Sequence, residues 1–249
     1  MKMVSLPANA VHSGNLILVN RDYPLREGLC EKRLVPVDER SNKTLLAKRA
    51  ATILQELISD MECGEKIIAV SGFRSKYEQA RIYETSLLDN GSDFTAKYVA
   101  LPGSSEHQTG LAVDLALNQP DINVLRPYFP YTGICGDFRG KAVQYGFIER
   151  YPEGKERITG IAHEPWHFRY VGAPHAAIMR QKALSLEEYI ELLRGYPFCG
   201  KRLCFSDFGK AYEIGFVKTE NEIVELAAPD APYLISGNNV DGFIITEWR

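Results

Sequence analysis

Apolar and polar positions along this chain repeat with two different periods, and the switches between them mark its elements. From 42 to 61 the apolar residues Leu45, Leu46, Ala50, Ile53, Leu54, Leu57, Ile58 and Met61 recur at helical spacing, opposite Lys43, Lys48, Arg49 and Glu56. That spacing predicts an amphipathic helix ended by Gly64. Residues 66–73 read as a buried strand that runs into Ser71-Gly72-Phe73-Arg74. Ser75-Lys76-Tyr77-Glu78 is a capping box, so a second helix should span about 76–90, with Gly91 just past its end. Between 111 and 117 large apolar residues alternate with Ala112, Asp114 and Ala116. This predicts a strand with one face on the core and a small, open face bearing a single carboxylate. A helix near 138–145 and a strand near 167–171 follow, then Pro174 and a helix to about 182. Residues 1–40 read as irregular, with a short strand at 15–19.

The texture changes near 184. Ser185-Leu186-Glu187-Glu188 is a second capping box, for a helix that stops at Gly195. Beyond it, short β-branched and aromatic runs at 211–217, 222–226, 233–236 and 242–246 sit between turn signals such as Pro229-Asp230 and Gly237-Asn238-Asn239. The expected organisation is one unit over 1–183, and a linking helix with a small β-rich appendage over 184–249.

Composition narrows the class. With 249 residues, 45% hydrophobic and 24% charged, the chain is an ordinary globular protein, neither disordered nor a disulfide-dense mini-scaffold. Its 29 basic and 32 acidic residues give a net charge of −3 without long runs of either sign, so a nucleic-acid footprint is absent. No stretch approaches the ~18 apolar residues of a spanning helix, and the run 16–19 is shorter than the ~7–15-residue core of a signal peptide. No membrane anchor and a cytoplasmic location are expected. The five cysteines, Cys30, Cys63, Cys135, Cys199 and Cys204, are scattered and odd in number, as free thiols in a reducing compartment would be.

The informative histidines fall in two clusters. In Ser105-Glu106-His107-Gln108-Thr109-Gly110-Leu111-Ala112-Val113-Asp114, a loop histidine and a strand carboxylate could aim at one point. In His163-Glu164-Pro165-Trp166-His167, Glu164 and His167 share a face in a helical turn but oppose each other in a regular strand, and spacing alone does not choose. Two histidines and one aspartate suit a catalytic zinc that keeps one position open. A carboxylate off the metal is then needed as general base, for which Glu164 is the candidate. A guanidinium suits the developing oxyanion, and Arg74, between a buried strand and a helix, is best placed for it. His163 could assist the base or be a plain strand residue; His12 and His175 look peripheral.

These residues resemble the zinc-dependent D,D-peptidases typified by VanY, VanX and the two-in-one VanXY enzymes. The family's Ser-x-His-x6-Asp is matched by Ser105, His107, Gly110, Ala112 and Asp114, and its Glu-x-x-His by Glu164 and His167. Leu18-Val19-Asn20, Ser71 to Ser75, Gln79, Gly146-Phe147 and Arg150-Tyr151-Pro152 extend the likeness over roughly 15–180. The resemblance implies an α+β fold with a central antiparallel sheet and flanking helices around the metal. It also implies zinc on His107, Asp114 and His167, Glu164 as base and acid, and Arg74 on the scissile carbonyl. Ser105 and Gln79 become candidate contacts to the substrate's terminal carboxylate or backbone. The implied substrate is a D-Ala-D-Ala end, free or on a peptidoglycan precursor, in vancomycin-type resistance. Within the family, Glu-Pro-Trp-His and the missing anchor look most like the VanXY type. An L,D-carboxypeptidase or endopeptidase on the same metal site and a non-catalytic precursor binder are the alternatives. The appendage could cover the cleft or mediate self-association, a dimer included.

Overall fold

A computed structural model of the chain describes residues 3–26, 33–38, 41–207 and 209–249. It divides into two compact units, Val19–Ser185 and a second that combines Met1–Leu18 with Leu186–Arg249. Residues 1–18 are expected with the first unit. The structure builds them into the second, because β1 (Met3–Pro7) takes its partner strand there.

In the unit Val19–Ser185, β2 (Leu34–Asp38) and β3 (Ser41–Ala47) pair antiparallel, and α1 (Lys48–Asp60) follows at once. The start of the expected 42–61 helix is therefore strand. Thr44 and Leu46 alternate inward there, and Leu45, Leu46 and Ala47 pair with Pro36, Val35 and Leu34, so a run compatible with either period is decided by its partner strand. The expected strand at 15–19 is irregular chain, although Leu16, Ile17, Leu18 and Val19 are all buried.

Next come β4 (Ile67–Ser71), α2 (Lys76–Tyr98), β5 (Ala112–Leu117), α3 (Gly133–Ala142), β6 (Phe147–Tyr151), α4 (Glu156–Thr159), β7 (Glu164–Tyr170) and α5 (His175–Lys182). The capping box of α2 forms as expected. Glu78 N donates to Ser75 Oγ at 3.2 Å, and Ser75 N to Glu78 Oε2 at 2.7 Å. Gly91, expected to end this helix, bends it instead, at φ 80° and ψ 174°, and a second helical stretch continues to Tyr98.

The four strands form one antiparallel sheet in the order β4-β5-β7-β6. One face bears Val113, Leu115, Phe147, Trp166, Phe168 and Tyr170, which join Ala50, Leu54 and Leu57 of α1 and Phe138 of α3 in the core. Phe129, Phe138 and Phe168 meet edge to face with centroids 5.4–5.7 Å apart. Burying each such ring contributes about 1.5–3 kcal/mol, so this face fixes which way the strands turn. Alternation then sends Ala112, Asp114, His167 and Arg169 to the other face.

The second unit holds α6 (Leu186–Arg194), β8 (Leu203–Asp207), β9 (Lys210–Lys218), β10 (Ile223–Ala227), β11 (Tyr233–Gly237) and β12 (Gly242–Trp248). Its main sheet is antiparallel in the order β11-β12-β9-β8, and β1 pairs antiparallel with β10, Met3 facing Ala227 and Pro7 facing Ile223. Val11, Phe198, Leu226, Phe243 and Ile245 form a separate core. No described helix is long and apolar enough to cross a membrane. The mixed helical and antiparallel architecture agrees with the α+β expectation. Cys63, Cys135, Cys199 and Cys204 are free, and Cys30 lies outside the described residues.

Candidate active site

His107 sits in a 3-10 turn, Glu106–Thr109, closed by Gly110 in the left-handed region at φ 68°. Gln108 Oε1 accepts from Gly103 N at 2.8 Å, and Thr109 Oγ1 accepts from Leu111 N at 3.0 Å, so the loop is pinned on both sides. His107 Nδ1 lies 2.6 Å from Gly72 O. A carbonyl can only accept, so Nδ1 carries the proton and Nε2 presents a lone pair. Gly72 can come this close because it lacks a Cβ, which would run into Leu45 O.

Asp114 and His167 are cross-strand partners on β5 and β7. Asp114 Oδ1 is 2.9 Å from His167 Nδ1, and Oδ2 is 3.2 Å from His107 Nε2. The three side chains are buried, and each offers a ligand atom within 4.8 Å of the others. The loop-to-strand convergence expected of the first cluster is present.

Glu164 resolves the second cluster. It lies in a strand, yet its Oε2 is 3.8 Å from His167 Nδ1. The pairing of β6 with β7 shifts between Glu149 and Tyr151, with Phe168 opposite the first and Glu164 opposite the second. Pro165 falls inside this shift, where its missing N–H costs no ladder bond. The irregularity brings Glu164 back to the side of His167, which a regular strand would not.

Arg74, Gln79 and Ser105 join these four residues around one cavity of about 410 Å³. Arg74 follows the β4 bulge, its N donating to His107 O at 3.3 Å, while its buried Nε has no hydrogen-bond partner. Gln79 Nε2 donates to Ala100 O at 2.8 Å, which leaves its buried Oε1 unpaired as an acceptor. Tyr151 and Trp166 add aromatic wall, and the exposed Val124 and Leu125 stand at the rim.

Burial pushes the Glu164 carboxyl up to about 8; the nearby His167 and Arg74 work against this, and Asp114 works with it. Burial also keeps His107 neutral, its pKa lowered to about 4, with Arg74 adding to the effect. For His167 burial opposes the charge, but the adjacent carboxylates of Asp114, Glu106 and Glu164 prevail and raise it to about 9. Asp114 is held far below the usual carboxylate range, burial being outweighed by His107 and His167. Neutral His107 thus aims a lone pair at an ionised carboxylate 3.2 Å away, with no proton to share. A cation between them resolves that conflict, and two imidazoles with one carboxylate are a donor set that zinc accepts.

Four residues were not foreseen as site residues: Glu106 and Tyr151, which line the cavity, and Arg150 and Arg169, which pair with Glu106. One arginine beside aromatic residues in each of two strands was the available signal, since a buried guanidinium requires an acid. His163 lies apart from the cavity-lining residues; its Nε2 is 2.6 Å from Tyr131 Oη and 3.4 Å from Glu149 Oε1. His12 Nδ1 is 2.7 Å from Asn239 Oδ1 in the second unit.

The family model for VanY, D-alanyl-D-alanine carboxypeptidase, matches residues 43–173. The bifunctional D-Ala-D-Ala dipeptidase and D-Ala-D-Ala carboxypeptidase VanXYC of Enterococcus gallinarum is 40% identical over 179 residues, 72% of this chain and 94% of that protein. The crystal structure of the vancomycin resistance D,D-dipeptidase VanXYg with a D-Ala-D-Ala phosphinate analogue is 47% identical, with TM-score 0.96 over 100% of this chain and 99% of that one. A VanY D,D-pentapeptidase variant from a VanB-type resistance cassette, in complex with Zn(II), is 31% identical, with TM-score 0.56 over 71% and 98% of the respective chains. The chain belongs to the VanY family of D-alanyl-D-alanine carboxypeptidases.

Proposed function

We propose that this protein is a zinc-dependent D,D-peptidase that hydrolyses D-Ala-D-Ala and removes the terminal D-Ala of peptidoglycan precursors, as part of vancomycin-type resistance. The observation that carries the reading is the meeting of His107, Asp114 and His167 in one buried cavity with Glu164 beside them. The relatives' named activities, D-Ala-D-Ala dipeptidase and carboxypeptidase, support the substrate.

His107, Asp114 and His167 would hold the zinc, which supplies a Lewis acid to polarise the scissile carbonyl and acidify a water. Glu164 takes the proton of the attacking water at its carboxylate and returns it to the departing amine nitrogen. Its pKa near 8 lies close to working pH, where one group can serve as base and then acid. Arg74 has an unspent buried N–H for the carbonyl oxygen as negative charge builds on it. Gln79 is assigned to a substrate backbone N–H. Its buried Oε1 is without a partner and can accept such an N–H, while Nε2 is held by Ala100 O. Ser105, whose hydroxyl can donate, is assigned to the terminal carboxylate.

We place the activity in the cytoplasm, on precursors before export. Purified zinc-loaded enzyme should release D-Ala from D-Ala-D-Ala and from a pentapeptide precursor. Absence of turnover on both, with metal bound, overturns the reading. Release only from stems ending in a single D-Ala would identify an L,D-carboxypeptidase instead.

A further inference from the structure

Behind His167 lies a buried ion cluster that the proposed reaction does not use. Glu106 is wholly enclosed, and its Oε1 is 2.8 Å from Arg150 Nε and 2.7 Å from Arg169 Nη1. Both arginines are fully buried on neighbouring strands, β6 and β7. The other oxygen, Oε2, faces His167 Nε2 at 3.7 Å, and neither atom has a hydrogen-bond partner. Two buried polar atoms left unmade are costly, and here they point at each other with the gap only slightly beyond bonding distance. Catalytic hydrogen bonds are often long before the ligand arrives and tighten afterwards.

We propose that Glu106 is the positioning residue of the metal centre: it accepts the Nε2–H of His167 and thereby turns Nδ1, the atom beside Asp114, toward the metal. This rests on the zinc reading above. Two observations support this arrangement. Arg150 and Arg169 fix the carboxylate from behind through Oε1, so Oε2 cannot swing away. The side chain of His167 lies between two acids, Asp114 on Nδ1 and Glu106 on Nε2. A metal replaces a proton at the first, and a retained proton is needed at the second. Histidine ligands are commonly oriented by such an acceptor, and removing it weakens metal affinity about 10–100-fold. Glu106 immediately precedes His107, so one turn supplies a ligand and the support of the opposite ligand.

The test compares parent, Glu106→Gln and Glu106→Ala for zinc affinity against a competing chelator, and reads the 15N shifts of the His167 ring in the zinc-loaded parent. The expected result is a metal-bound Nδ1 with a slowly exchanging Nε2–H in the parent. Glu106→Ala should lose about 10–100-fold in affinity, and Glu106→Gln less, because its amide oxygen still accepts. Affinity unchanged in folded Glu106→Ala, or a metal-bound Nε2 in the parent, overturns the proposal and leaves the zinc reading standing. A parent that takes up no zinc overturns the zinc reading itself. If the variants do not fold, the parent spectrum alone decides.

Discussion

Asp114 and His167 stand directly opposite each other on β5 and β7, with Oδ1 2.9 Å from Nδ1. Sheet register, rather than a flexible loop, therefore sets the distance between two of the three proposed ligands. The third, His107, is tied to β4 through Gly72 O. Such a frame holds donor atoms in place before any ligand arrives, which is what low-cost binding requires.

If the trio holds zinc, His107→Ala should abolish metal uptake while leaving the core intact. Metal analysis after dialysis should show loss of zinc, and chelation of the parent should stop turnover until zinc is restored. Full occupancy in His107→Ala would remove this residue from the site.

On the proposed mechanism, Glu164 should contribute to chemistry rather than to metal binding. Glu164→Ala should retain near-normal zinc content and lose about 10²–10⁴ in kcat. Equal turnover in parent and variant would exclude it as the base.

Arg74 should act on the transition state. Arg74→Ala is expected to lower kcat by about 10²–10³, the size of one lost oxyanion donor, with a smaller change in KM. A rise in KM alone would mean that it only binds substrate.

The metal-free protein should become less stable as pH rises from about 6.5 to 8. Unfolded His loses its proton near 6.5 and unfolded Glu near 4.3. Folded His167 keeps its proton to about 9 and folded Glu164 to about 8. The unfolded chain thus binds fewer protons across that window, and stability falls with pH. His107, lowered to about 4 in the folded state, acts in the opposite sense but between about 4 and 6.5. Thermal melts of the apoprotein should show Tm declining above pH 6.5, and a flat or rising Tm would contradict the assignment.

Gly72→Ala tests the frame at a distance from the chemistry. The added methyl would collide with Leu45 O and displace the carbonyl that orients His107. A stability loss of about 1–3 kcal/mol together with weakened zinc affinity is expected. Loss of stability with unaltered metal affinity would separate Gly72 from the site.

Much of this site was legible because its chemistry is local in sequence. His107 and Asp114 are joined by one turn and a strand whose alternation marks the small-residue face, and the capping box of α2 is stated outright by Ser75 and Glu78. What was illegible depends on pairing. Residues 43–47 carry a pattern that suits helix or strand, and only β2 decides between them. Glu164 reaches His167 through a register shift that no spacing rule contains. Glu106 hid beside His107 as an ordinary loop acid, because the arginines that anchor it lie 44 and 63 positions away (150 − 106 and 169 − 106). Residues 3–7, expected to be irregular and part of the first unit, form β1 against β10 for the same reason.

That last pairing bears on how the molecule is made. Met3 must wait for Ala227 to leave the ribosome, whereas every strand of the unit Val19–Ser185 is by then already synthesised. The larger unit is in effect an insertion within the smaller one. Deleting the first seven residues should therefore injure the β-rich unit, and a cut after Ser185 cannot liberate that unit whole.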